Sequence, residues 1–147
     1  MQKSKQKIVV SGINMVEGGI FTILDNCLQK LVEYDTKNDL EIYALVNDKS
    51  RFNYPSIQFL EFPKSKKYWI TRLYYEYYYF KKLSNKLNID IWFSLHDMTP
   101  NVQCAKQFVY CHNPCMFYKP SLKEWFLDYK MGVFSIFYKD DKYAAAQ

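Results

Sequence analysis

A chain of 147 residues with 49% hydrophobic and 24% charged residues has the make-up of one globular domain with a real core, which excludes low-complexity disorder. The aromatic share of 19%, with fourteen tyrosines, is far above ordinary, and the formal net charge of +5 suggests an anionic partner: nucleic acid, acidic lipid or a phosphorylated metabolite. The opening MQKSKQK is too polar for a secretory leader and no apolar run reaches spanning length, so the expected address is cytoplasmic.

The first apolar run, Ile8-Val9-Val10, reads as a short buried strand ending at Ser11-Gly12. The loop SGINMVEGG follows, and Ile20, Ile23, Leu24, Cys27, Leu28 and Leu31 then mark one face of a helix. Gly18 and Gly19 open that helix. Backbone without side chains at a helix start lets a ligand come close, and the free amides with the helix dipole favour phosphate. The three-glycine dinucleotide fingerprint G-x-G-x-x-G is absent.

A second strand is expected over Asp39 to Asn47, with Ile42, Ala44 and Val46 on one face and Tyr43 and Leu45 on the other, and a third over Ile57 to Phe62. Between them Asn47 to Pro55 is a polar loop, and Pro63-Lys64-Ser65 is the next break. Tyr68 to Leu87 reads as one long helix with an inward stripe of Ile70, Leu73, Tyr77, Phe80, Leu83 or Ser84, and Leu87. Tyr74, Tyr75, Tyr78 and Tyr79 fall outside the stripe beside Arg72, Lys81 and Lys82, with Lys64, Lys66, Lys67 and Lys86 nearby. Such a mixture suits core and rim packing, a membrane interface or a nucleic-acid strand.

Ile91-Trp92-Phe93 and Phe108-Val109-Tyr110-Cys111 run without polar alternation, as strands buried on both faces do. Each stops at a histidine: His96-Asp97 after the first, His112-Asn113-Pro114 after the second. That order predicts an α/β fold, a mainly parallel sheet with helices on both faces, and puts both histidines at the carboxyl edge where ligands bind. Cys27, Cys104, Cys111 and Cys115 fit buried thiols of a reducing compartment; a zinc set of Cys104, Cys111, His112 and Cys115 lacks a paired C-x-x-C knuckle, and no metal is expected. Ser121 with Glu124 forms a capping-box pattern ahead of Trp125, Phe126 and Tyr129, and Val133 to Phe137 is a short apolar segment. Residues 139–147 carry no core pattern and are expected to be a disordered tail or the mark of a truncation.

The Glu17-Gly18-Gly19 turn, SLHDMTPN over Ser94 to Asn101, and YCHNP over Tyr110 to Pro114 with Phe117-Tyr118-Lys119-Pro120 together resemble the amino-terminal, Rossmann-like domain of a bacterial glycosyltransferase of family 4, which has the two-domain GT-B fold. The resemblance covers nearly all of residues 7–138. It implies that Gly18 and Gly19 lie against the diphosphate of a nucleotide-sugar donor and that His112 meets the transferred sugar as the catalytic residue. His96, Asp97 and Asn113 would line the substrate side of the same cleft. It further implies no cofactor beyond the donor, a polysaccharide or lipid-linked glycan as acceptor, and work at the inner face of the plasma membrane, with no nucleic acid. The donor-binding carboxyl-terminal domain of that family lies outside these 147 residues, so the chain alone is expected not to turn over. Two other readings remain open: a stand-alone nucleotide-binding or regulatory α/β module, and a basic aromatic adaptor for membrane or RNA.

Overall fold

The computed structural model describes residues 5–111, apart from the side chains of residues 37 and 38. Five strands form one parallel sheet in the order β3-β2-β1-β4-β5: β1 Gln6–Ser11, β2 Leu40–Val46, β3 Ile57–Glu61, β4 Ile91–Ser94 and β5 Lys106–Val109. Helix α1, Gly18–Asn38, joins β1 to β2, and a broken helical segment joins β3 to β4. The strand order changes direction at β1, which pairs with β2 on one side and β4 on the other. This is a Rossmann-like α/β arrangement, and the reversal next to β1 is where such sheets open a crevice at their carboxyl edge.

Strand alternation divides the core between the two faces. Ile8 and Val10 of β1 with Ile42, Ala44 and Val46 of β2 pack beneath Leu24 and Leu28 of α1. Val9, Tyr43, Leu45 and Trp92 pack on the other face beneath Phe80. The expected facing of β2 is the observed one, and every residue of the predicted α1 stripe meets the first cluster. Gly12 sets how closely α1 approaches: a Cβ there would lie 2.7 Å from Leu24 Cδ2. The helical segments end in left-handed residues, Asp39 after α1 and Asn88 after the last, polar types that tolerate that conformation.

Three expectations are corrected. The fifth strand starts and ends earlier than the apolar run, leaving Tyr110 and Cys111 beyond it, and it is not covered on both faces: Phe108 is 50% exposed. Among the described residues β5 has a neighbour only in β4, so its outer side lacks a strand to pack against. Cys111 is exposed rather than buried, while Cys27 and Cys104 are half-buried.

The long helix over Tyr68 to Leu87 is also broken. It consists of α2 Lys64–Lys67, α3 Trp69–Tyr74, a π turn Tyr75–Tyr79 and α4 Phe80–Leu87, with extended backbone at Tyr68 separating α2 from α3. A π turn widens the helix, so the side chains ahead of Phe80 fall out of step with an even three-four stripe. Glu76, not Tyr77, points into the protein, and Tyr75 turns in against Phe62 at a ring-centroid separation of 4.9 Å. Ile70 is 79% exposed.

Candidate functional site

Parallel pairing of Ser11 with Ser94 makes the loops after β1 and β4 leave the sheet at the same edge. Backbone bonds then stitch this edge together: Gly12 N–H donates to Leu45 O at 2.9 Å, Leu95 N–H to Ser11 O at 2.9 Å and Phe62 N–H to Val46 O at 2.8 Å. The buried Ser65 hydroxyl donates to Ile13 O at 2.7 Å, tying α2 to the first loop, and Asn47 Nδ2 donates to Phe62 O at 3.2 Å, tying the second strand's end to the third's.

The glycine turn stands open on this edge. Gly18 has φ +65°, a left-handed backbone that strains any residue with a Cβ, and nothing lies within 4 Å of where a Cβ would be built at Gly18 or Gly19. Glu17 does not cap the helix with its side chain, and the first turn holds no acidic residue, so the leading amides are left to other acceptors. The Glu17 carboxylate instead pairs with Lys66 Nζ at 2.7 Å, a contact that holds its carboxyl below the usual range. Beside the turn lies a cleft of about 90 Å³ between Val16, Phe21, Asn47, Asp48 and Arg51. Arg51 is placed by a hydrogen bond to Val16 O and by stacking 4.0 Å from the Phe21 ring centroid. Asp48 accepts from the Ser50 amide and hydroxyl, which lower its pKa.

On the sheet's other face, the same edge carries a buried polar cluster. His96, two residues past β4, is 4% exposed, and its Nε2 lies 2.6 Å from Oε1 of Glu76, which is 0% exposed. Arg72 Nε approaches the same oxygen at 3.9 Å. With its amide oriented to satisfy both groups, Asn14 of the first loop accepts from Arg72 Nη1 at 2.6 Å and Nε at 3.2 Å. Asn101 N–H donates to Glu76 O at 2.9 Å, fastening the π turn to the loop beyond β4.

The structure thus brings Gly18, Gly19, His96 and Asp97 to one edge. The glycines are open to solvent, Asp97 is half-buried, and His96 turns inward to Glu76. His112 and Asn113, together with Cys115, the capping box at Ser121 and everything after it, lie outside the described residues. Arg72, which the sequence pattern set beside the exposed tyrosines, reaches Asn14 and Glu76. The sequence pattern does not single out Glu76 as a site residue, since a glutamate among tyrosines and lysines reads as a solvent residue. The available signal was its position four before Phe80 and four after Arg72.

No family model, no curated protein and no solved structure matches this chain.

Proposed function

We propose that this domain is the acceptor-side half of a GT-B glycosyltransferase of the family 4 kind, acting with a donor-binding domain to move a sugar from a nucleotide-sugar to a polysaccharide or lipid-linked glycan. The observation that supports it best is the uncapped glycine turn at the carboxyl edge of a Rossmann-like sheet, open around Gly18 and Gly19 and next to the cleft that holds Arg51. Glycosyl transfer builds negative charge on a departing diphosphate while the sugar becomes oxocarbenium-like. Amides fixed at a helix start meet that charge with little reorganisation, and an arginine beside them adds a permanent positive charge. His112, Asp97 and Asn113 are proposed on the resemblance alone.

Calorimetric titration with a nucleoside diphosphate tests the reading. The wild-type chain should bind, and Gly18→Val, which places a branched Cβ in a left-handed position, should bind at least about tenfold more weakly, the equivalent of about 1.4 kcal/mol. Equal affinity in both proteins would count against the glycine turn as the phosphate site.

A second reading, peripheral association with an anionic membrane, has its own observation. Tyr68, Trp69, Ile70, Tyr74 and Tyr78 are large exposed side chains on one stretch, with exposed Lys66, Lys67, Lys81 and Lys82 around them. Lys82 Nζ lies 4.4 Å from the Tyr78 ring centroid. Among the described residues no helix is long and apolar enough to cross a membrane. Tyrosine and tryptophan favour the headgroup region, and nearby lysines add attraction to acidic lipid.

A further inference from the structure

Pairing of Ser11 with Leu45 makes the loops after β1 and β2 leave the sheet side by side, and the cleft of about 90 Å³ lies between them. At about 10–15 Å³ for each water, that space takes about six to nine waters, the room of one sugar ring. Its walls are apolar. Val16 comes from the first loop, Phe21 from α1, and the Phe52 ring lies 5.3 Å from that of Phe21 and 5.4 Å from that of Phe59. Asp48 and Arg51 are exposed and Asn47 is half-buried, so the cleft opens to solvent.

Beside Arg51, the polar groups of the cleft offer hydrogen-bond acceptors. Asp48 takes both bonds from Ser50 on Oδ1, at 2.9 Å from the amide and 2.7 Å from the hydroxyl, so Oδ2 keeps its lone pairs. Those same bonds lower its pKa and keep it a carboxylate at neutral pH. Asn47 gives its Nδ2 to Phe62 O at 3.2 Å and to Ser65 Oγ at 3.3 Å, which leaves its amide oxygen unspent among the described residues. Acceptors beside an apolar wall suit a ligand that brings hydroxyl donors on a carbon ring. A phosphate, by contrast, is repelled by the Asp48 charge. Asp48 also stands two residues past β2, and Rossmann-like sheets that seat a phosphate on the first helix use an acidic side chain after the second strand to hold ribose hydroxyls.

We propose that Asp48 is a specificity-determining residue whose carboxylate accepts hydrogen bonds from hydroxyls of a sugar ring, the ring being joined to the phosphate that Gly18 and Gly19 receive. The proposal rests on the phosphate site of the glycosyltransferase reading and goes beyond it, because it gives this domain a contact with the ring as well. The ring belongs to the nucleoside or to a sugar phosphate, and the two are told apart by experiment.

Calorimetric titration of the full chain compares ADP with 2′,3′-dideoxy-ADP and glucose 1-phosphate with inorganic phosphate. In at least one pair the hydroxylated ligand should bind at least about fivefold more tightly, since a hydrogen bond to a charged group is lost with the hydroxyls. A preference in the first pair identifies ribose, and one in the second a hexose. Asp48→Asn keeps an oxygen for Ser50 and puts an amide donor where Oδ2 was. It should erase the preference while leaving affinity for inorganic pyrophosphate equal or higher, because a repelling charge has gone. No preference in either wild-type pair overturns the proposal, and so does a preference that survives Asp48→Asn or a variant that weakens pyrophosphate as much as the sugar ligands. If pyrophosphate itself does not bind the wild type, the phosphate site fails and the proposal with it; if pyrophosphate binds and the hydroxyls make no difference, only the proposal fails. Should Asp48→Asn not fold, the two wild-type comparisons still decide.

Discussion

Replacing Glu76 by alanine removes the one carboxylate buried in the polar cluster, and the cost can be worked from its contacts. His96 Nε2 loses its acceptor at 2.6 Å while 4% exposed, so water cannot replace the bond. An unsatisfied buried donor costs about 1–3 kcal/mol. Arg72 loses a compensating charge at 3.9 Å but keeps both bonds to Asn14 and has some access to solvent, so its share falls below the about 3–5 kcal/mol of a fully buried broken pair. We expect Glu76→Ala to lower stability by about 2–4 kcal/mol, and Glu76→Gln, which retains an acceptor, by about 1–2 kcal/mol. Urea unfolding followed by tryptophan fluorescence reads this directly, because buried Trp92 packs 5.3 Å from Phe80 in the layer beneath the same helix. A double-mutant cycle with His96→Phe should return a coupling of about 1–3 kcal/mol. A Glu76→Ala cost under about 0.5 kcal/mol, the range of an ordinary surface change, would refute the buried dyad.

Further outcomes follow from other parts of the structure. Gly12→Ala sets a Cβ 2.7 Å from Leu24 Cδ2, and the leucine must move within a packed layer, so a loss of about 1–3 kcal/mol in the same urea assay is expected. Burial, reinforced by the bond to Glu41, pushes the Tyr43 hydroxyl up to about 12, so folding favours its neutral form; that contribution is complete below about pH 10 and is lost as pH rises towards about 12. Spectrophotometric titration should show a late-ionising tyrosine that disappears in Tyr43→Phe. Changing Lys66, Lys67, Lys81 and Lys82 together to Gln should abolish salt-sensitive sedimentation with anionic vesicles, at about 1 kcal/mol of attraction per lysine near the surface, yet alter stability little because these side chains are exposed. Equal recovery on neutral and anionic vesicles would contradict the membrane reading.

The sheet was legible in the sequence where both faces of a strand are buried. Val9 and Val10 must each enter a core, as must Tyr43 and Ala44, and uninterrupted apolar runs record that demand directly. Helix α1 was equally plain, since Leu24 and Leu28 repeat at the spacing of one face. The fifth strand lies ahead of its apolar run because apolar character is not burial at this edge: Lys106 and Gln107 belong to the strand through backbone pairing alone. The helical segment failed for a different reason. Periodicity assumes one helix geometry, and a single wide turn between Tyr75 and Tyr79 swaps Tyr77 for Glu76 on the inner face. Of the candidate site, the glycine turn was visible from residue type, because φ +65° at Gly18 calls for glycine. The Glu76 contact to His96 was not, since it joins residues twenty apart across a helix break that no local pattern announces.

In the proposed glycosyltransferase, Gly18 and Gly19 receive the diphosphate of the sugar donor. Backbone amide spectra recorded during titration with a nucleoside diphosphate test it most directly, residue by residue. The largest movements should fall on Gly18, Gly19 and Ile20, with smaller ones at Asn47 and Arg51 along the cleft, and all of them should vanish in Gly18→Val. Movements confined to the lysines around Tyr68 to Lys82, with the glycine amides unmoved at saturation, would contradict it and leave only a basic surface that attracts anions.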